Sequence, residues 1–162
     1  MKLLLLLMLF LPPALFAADV EKGPIVLLQP DVSLQEKRPN VAAVSDYIKA
    51  AQQRFADTLA PESLQKTSGF IVFAVRKGRL SNAWLDFTPA LPPRTEAKVL
   101  SSIKAVPPFD VATGTMVFAV QASVGGAALP TSRMPFPKEW QAATEGSEEP
   151  IEVEALVQRV WP

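Results

Sequence analysis

The sequence predicts an α+β domain in the order helix, strand, strand, helix, strand, with a three-stranded antiparallel sheet and an added C-terminal extension. Three observations carry this reading. Apolar residues recur every three or four positions from Val41 to Leu59, which marks one face of a helix. Two runs of strand character, Gly69–Val75 and Leu80–Phe87, flank Lys77-Gly78 and read as a hairpin. A third alternating run, Met116–Val120, follows a second helical stretch closed by Pro107-Pro108. The chain has 162 residues, and an N-terminal leader of seventeen leaves enough for one domain with a real core but not for two large ones.

Residues 1–17 carry one cation, Lys2, then an apolar stretch from Leu3 to Phe16, with Leu15 and Ala17 at positions that suit a signal-peptidase cut at Ala17/Ala18. That layout is a secretory signal and implies export to the periplasm with cleavage. Retention as an anchor is the alternative, but the stretch reaches only about 26 Å against a hydrocarbon core of ~30 Å, and Pro12-Pro13 interrupts it. Residues 18–40 hold Pro24, Pro30 and Pro39 and read as an extended N-terminal segment with a short strand at Ile25–Leu28.

Residues 41–126 form the expected domain. Asn40 caps the first helix, whose inner face is Val41, Val44, Ile48, Ala51, Phe55 and Leu59, and Pro61 stops it. In the first strand both faces are apolar, Ile71, Phe73 and Val75 on one and Phe70, Val72 and Ala74 on the other, so it is central or covered on each side. Gly78 supplies a positive φ at the reversal. On the return strand Ser81, Ala83, Leu85 and Phe87 are the core set, while Trp84 shares a polar face with Asn82 and Asp86. Residues 88–94 are a proline loop, and Thr95 caps a second helix with Val99, Leu100 and Ile103 inward. Gly125-Gly126 closes the last strand. The extension, 127–162, holds a short helix around Glu139–Ala143, an acidic run at Glu145, Glu148, Glu149, Glu152 and Glu154, and a docking strand or helix containing Val153, Leu156, Val157, Val160 and Trp161.

Composition removes whole classes of chemistry. The chain has no Cys and no His, so Ser-His-Asp and Cys-His nucleophiles, Cys/His zinc sites and haem ligation are excluded. Sixteen basic and sixteen acidic residues cancel, leaving no field to attract nucleic acid. No cofactor or metal is implied. Ser63-Leu64-Gln65-Lys66 and Ser101-Ser102-Ile103-Lys104 both match a Ser-x-x-Lys acylase pattern, but its Ser-Asp-Asn and Lys-Thr-Gly partners are absent. Asp86 and Glu96 are the only acids near the expected core that could act as a glycosidase pair, and Asp86 is expected to face water or to pair with Arg76. The acidic run lacks the ligand spacing of an EF-hand and reads as a solvated loop.

The stretch Gly69-Phe70-Ile71-Val72-Phe73-Ala74-Val75, the Lys77-Gly78 turn before Leu80, the helix end Ile103-Lys104-Ala105-Val106-Pro107-Pro108-Phe109 and the strand Met116-Val117-Phe118 resemble the C-terminal domain of the TonB energy-transducer family, with a weaker likeness to that of TolA, over residues 41–122. Lys77 stands where that family has Asp, Thr88-Pro89-Ala90-Leu91-Pro92-Pro93 replaces its Ser-Ser-Gly loop, and its proline-rich spacer has no counterpart. The resemblance implies binding of an extended peptide beside the sheet, without the energy-transducing role, which needs an anchor and a long reach. Strand addition requires a free edge, and residues 115–122, with Met116, Phe118 and Val120, are the matching candidate. Trp84 beside Arg76, Lys77 and Arg79 is a second candidate contact. The function expected is therefore a non-catalytic periplasmic protein- or peptide-binding module. A periplasmic inhibitor or immunity-like protein acting through its tail, and a cell-envelope hydrolase, are the alternatives.

Overall fold

The computed structural model describes residues 19–131, 134–147 and 149–162. The leader, residues 1–17, and its expected cleavage point at Ala17/Ala18 lie outside the described residues. The elements are β1 (Val20–Leu27), α1 (Asp31–Glu36), α2 (Val41–Leu59), β2 (Thr67–Arg76), β3 (Leu80–Thr88), α3 (Pro93–Lys104), β4 (Thr115–Val124), α4 (Lys138–Thr144) and α5 (Val153–Val160). The strands form one antiparallel sheet in the order β1-β4-β2-β3. The expected three-stranded helix-strand-strand-helix-strand domain is thus corrected: the sheet has four strands, and five helices accompany it among the described residues.

The fourth strand comes from the N-terminal segment. Its sequence, VEKGPIVL, hides its role, because Gly23-Pro24 breaks the alternation that marks a strand. The break is a bulge: pairing with β4 runs Val20↔Val124 to Lys22↔Ala122, shifts, and resumes at Ile25↔Val120 through Leu27↔Phe118. Beyond Leu27 the Gln29 side chain continues the ladder. Its Oε1 accepts from Val117 N at 2.9 Å and its Nε2 donates to Thr115 O at 3.0 Å, so the amide group stands in for a strand backbone.

Helices cover both faces of the sheet. On one face α2 and α3 bury Tyr47, Ile48, Phe55, Leu59, Val99 and Ile103 against Ile71, Phe73, Val75, Phe118 and Val120. On the other, α4 and α5 bring Trp140, Leu156 and Val157 onto Phe70, Val72, Trp84, Val117 and Ala119. This explains the doubly apolar β2, which is central and buried on each side. Asn40 Oδ1 accepts from Ala43 N at 3.1 Å and caps α2 as its sequence suggests. In α3 the start differs: Pro93 at the first helical position, where its missing N–H costs nothing, opens the helix, and Thr95 is a buried residue inside its first turn rather than its cap.

Tyr47 meets Phe73 and Phe109 edge-on at 5.7 and 5.6 Å, whereas Phe55 stacks on Phe87, which pairs with Gly69 at the start of β2. α2 therefore runs antiparallel to β2. Because β1 and β2 both pair antiparallel with β4, α2 is antiparallel to β1 as well.

Candidate functional site

The strand expected to accept a peptide has no free edge. β4 is bonded to β1 on one side and β2 on the other, and Met116, Phe118 and Val120 point into the core under α2 and α3. The physical reason was present in the alternation itself. Val117 and Ala119 are as apolar as the residues between them, and a strand apolar on both faces belongs in the interior of a sheet.

Trp84 is buried as well, at 4% exposure, with its ring edge-on to Trp140 at 5.9 Å. Its strand face is not solvated, because α4 and α5 cover it. Arg76 is committed to the C-terminal segment: its guanidinium lies 3.6 Å over the Trp161 ring and donates from Nη2 to Trp161 O at 2.7 Å. Arg79, with φ 58°, donates to Pro108 O at 3.1 Å, and Lys77 is exposed at the hairpin tip. Arg76, Lys77, Arg79 and Trp84 therefore do not form one exposed patch. Nor can Asp86 meet Arg76. Asp86 pairs with Phe70 and Arg76 with Leu80, at opposite ends of the hairpin, and Asp86 instead accepts from Phe136 N at 2.7 Å.

The candidate acids do share a cavity of about 260 Å³, lined by Asp86, Glu96, Lys138 and Gln141 among others. Both are engaged, Asp86 by the Phe136 amide and Glu96 by Lys138 Nζ at 2.6 Å. That carboxylate raises the Lys138 pKa, above all through its hydrogen bond; burial opposes the rise, and the charges of Glu96 and Glu139 add to it more weakly. Ser63 lines a separate cavity of about 400 Å³ between residues 63–67 and the proline loop, which Lys66 does not line. No group of three or more acidic, His or Cys residues among the described residues is placed to hold a metal ion.

One residue of the acidic run stands apart from its neighbours for a reason no local pattern carries. Glu154 accepts from Lys37 Nζ at 2.9 Å, Thr115 N at 2.7 Å and Gln29 Nε2 at 3.2 Å. Lys37 is almost wholly buried. These contacts fasten α5 to β4 and to the segment after β1, and Gly114 leaves room for them, since a Cβ there would lie 2.4 Å from Glu154 Oε1.

The sheet has two outer edges, those of β1 and β3, and the edge of β1 has an open apolar surface beside it. Among the described residues no further strand pairs with β1, and no backbone hydrogen bond from a loop reaches Val20–Leu27. Between β1 and α2 lies an open cavity of about 310 Å³ lined by Ile25, Val41, Val44, Ser45, Ile48, Lys49 and Gln52. Its wall is mostly apolar. Val41 is 80% exposed and Ile25 50%. Val41 and Val44 belong to the helical stripe expected to be buried, but Val41 is exposed and Val44 only partly buried, and full burial on α2 begins at Tyr47 and Ile48. An incompletely buried start to an otherwise core-facing stripe is the signal for this groove, and it appears only once β1 is placed.

No family model, curated protein or solved structure matches the chain.

Proposed function

We propose that this chain is an exported, non-catalytic module of the periplasm that binds an extended peptide segment of an envelope protein by strand addition to β1. One observation carries the reading: a free strand edge lies directly beside an apolar groove, so that backbone pairing and side-chain burial are available to the same ligand. Ile25 and Leu27 pair with Val120 and Phe118, which face α2, so their side chains stand on the groove side of the sheet. Both are half exposed. A strand laid along Ile25–Leu27 would place every second side chain against Val41 and Val44. The leader layout supports export. The engagement of Asp86 and Glu96 by other groups, and a cavity at Ser63 that Lys66 does not line, support binding rather than hydrolysis.

Few backbone bonds at about 1 kcal/mol each, plus partial burial of a few apolar side chains, put the expected Kd on the order of tens of micromolar. The test is a titration of the mature protein with a pool of hexapeptides carrying Val, Ile, Leu or Phe at alternate positions, followed by backbone amide NMR. Shifts should concentrate in Ile25–Leu27 and the first three turns of α2 and should be lost in Val41→Glu, an exposed position that leaves the fold intact. Shifts confined to another surface, or their absence, would sink the proposal.

A further inference from the structure

Resting on that reading, we infer that the groove between β1 and α2 takes the C-terminal end of its peptide, with the terminal carboxylate held by Lys22 and Lys49. Two independent features point there. The first is charge. Among the described residues Lys49 is the one charged residue lining the groove. Lys22 pairs with Ala122, whose side chain lies under α2, so Lys22 stands on the same face of the sheet as Ile25 and Leu27. Because α2 runs antiparallel to β1, its N-terminal Val41 and Val44 lie toward Leu27 while Lys49 and Gln52 lie toward Lys22. The groove thus has an apolar end and a cationic end. Glu21 pairs with Ser123 and points to the opposite face, so it does not neutralise the cations.

The second feature is where pairing must stop. Pro24 has no N–H to donate, and the bulge at Gly23-Pro24 turns the edge out of register. An added strand can follow β1 along Ile25–Leu27 and cannot continue past Pro24. A ligand whose chain ends at that point loses nothing. One whose chain continues must leave the ladder with unpaired backbone groups. Antiparallel addition, the arrangement of every other pair in this sheet, runs the peptide from the Leu27 side toward Lys22 and brings its last residue to the bulge. The carboxylate then falls between the two ammonium groups, where ion pairing at the surface adds specificity for a chain end.

The experiment compares three hexapeptide pools of identical alternating apolar composition against the mature protein. One has a free C-terminus, one is amidated, and one is amidated with Asp as its last residue. Expected is at least about tenfold tighter binding of the free-acid pool than of either amidated pool. That advantage should disappear in the double variant Lys22→Glu/Lys49→Glu and persist in Lys77→Glu, a charge reversal at the distant hairpin tip. All three lysines are exposed, so the variants should fold, and amide NMR checks this directly. Equal binding of free and amidated pools, with shifts still in the groove, overturns the carboxylate inference and leaves the peptide-groove reading standing. So does a free-acid advantage that survives the double reversal, or an Asp-amide pool that matches the free acid. Absence of groove binding by any pool overturns both.

Discussion

At the scale of single residues, the side chains that matter most are those whose partners lie far away in sequence. Glu154 and Lys37 are 117 positions apart, yet their 2.9 Å contact is nearly buried on the lysine side. Removing the acid strands an ammonium ion together with the Thr115 N–H, whereas removing the lysine leaves a partly exposed carboxylate with two other donors. Glu154→Ala should therefore cost about 3–5 kcal/mol in urea unfolding and Lys37→Met clearly less; equal losses would show that the pair does not hold α5 in place. Nothing in the run of glutamates distinguishes Glu154 from exposed Glu145, Glu149 and Glu152, so this contact was not legible in the sequence. Tyr47 offers a pH test. Burial raises its pKa above the ordinary value of about 10, and a hydrogen bond with Ser81 pulls more weakly the other way. The fold thus favours the neutral phenol. Its contribution is complete below about pH 10, where the unfolded phenol ionises, and is lost as pH rises through the higher folded value. Tyr47 is the only tyrosine, so tyrosinate absorbance reports it alone. Its midpoint should lie above that of free tyrosine, and Tyr47→Phe should flatten the alkaline loss of stability.

At the scale of elements, periodicity was a good guide where each segment carried its own signal. The α2 helix with the Ile48–Leu59 part of its stripe, the Asn40 cap, the two strands of the β2–β3 hairpin and the short α4 helix all lie where the pattern puts them. β1 was legible only as a fragment, because a bulge with Pro24 looks like a loop until β4 is there to pair with it. The tail was legible as a docking element containing Val153, Leu156 and Val157, but not as the layer that, with Trp140, covers the second face of the sheet. That placement changes what a truncation means. Ending the chain after Gly126 would remove Trp140, Leu156 and Val157 and bare Phe70, Val72, Trp84, Val117 and Ala119. The truncated chain should lose near-UV circular dichroism and bind a hydrophobic dye, not merely lose a binding arm as a tail-acting inhibitor would. A single substitution gives a milder version. Trp140→Ala should cost about 3–5 kcal/mol. Trp140→Phe should cost much less, because the indole N–H has no hydrogen-bond partner among the described residues. If the two cost the same, Trp140 contributes through its nitrogen and not through packing on Trp84.

At the scale of the whole molecule, the sheet has spent one of its two edges on the chain's own N-terminal segment. β4 would be the edge strand of a three-stranded sheet built from residues 41–124 alone. Its ten residues, nine of them buried, would then offer an uncharged row of backbone donors and acceptors to any neighbour. β1 covers that row with a strand of a different kind, short-paired, bulged at Gly23-Pro24 and carrying Glu21 and Lys22, features that discourage indiscriminate edge pairing while leaving Ile25–Leu27 accessible. The exchange defines a test that peptide binding at β1 does not. A chain beginning at Gln29 keeps Gln29, Lys37 and Glu154, and hence the fastening of α5, but bares β4. It should self-associate in light scattering at concentrations where the intact protein is monomeric. A synthetic peptide of sequence VEKGPIVL should restore the monomer by refilling the strand position, and the same peptide with its order of residues scrambled should not. A shortened chain that stays monomeric and folded without the peptide would mean that β1 is dispensable for guarding β4. In that event the edge beside α2 would owe its position to packing against Val20 and Val26 rather than to the demand of β4 for a partner.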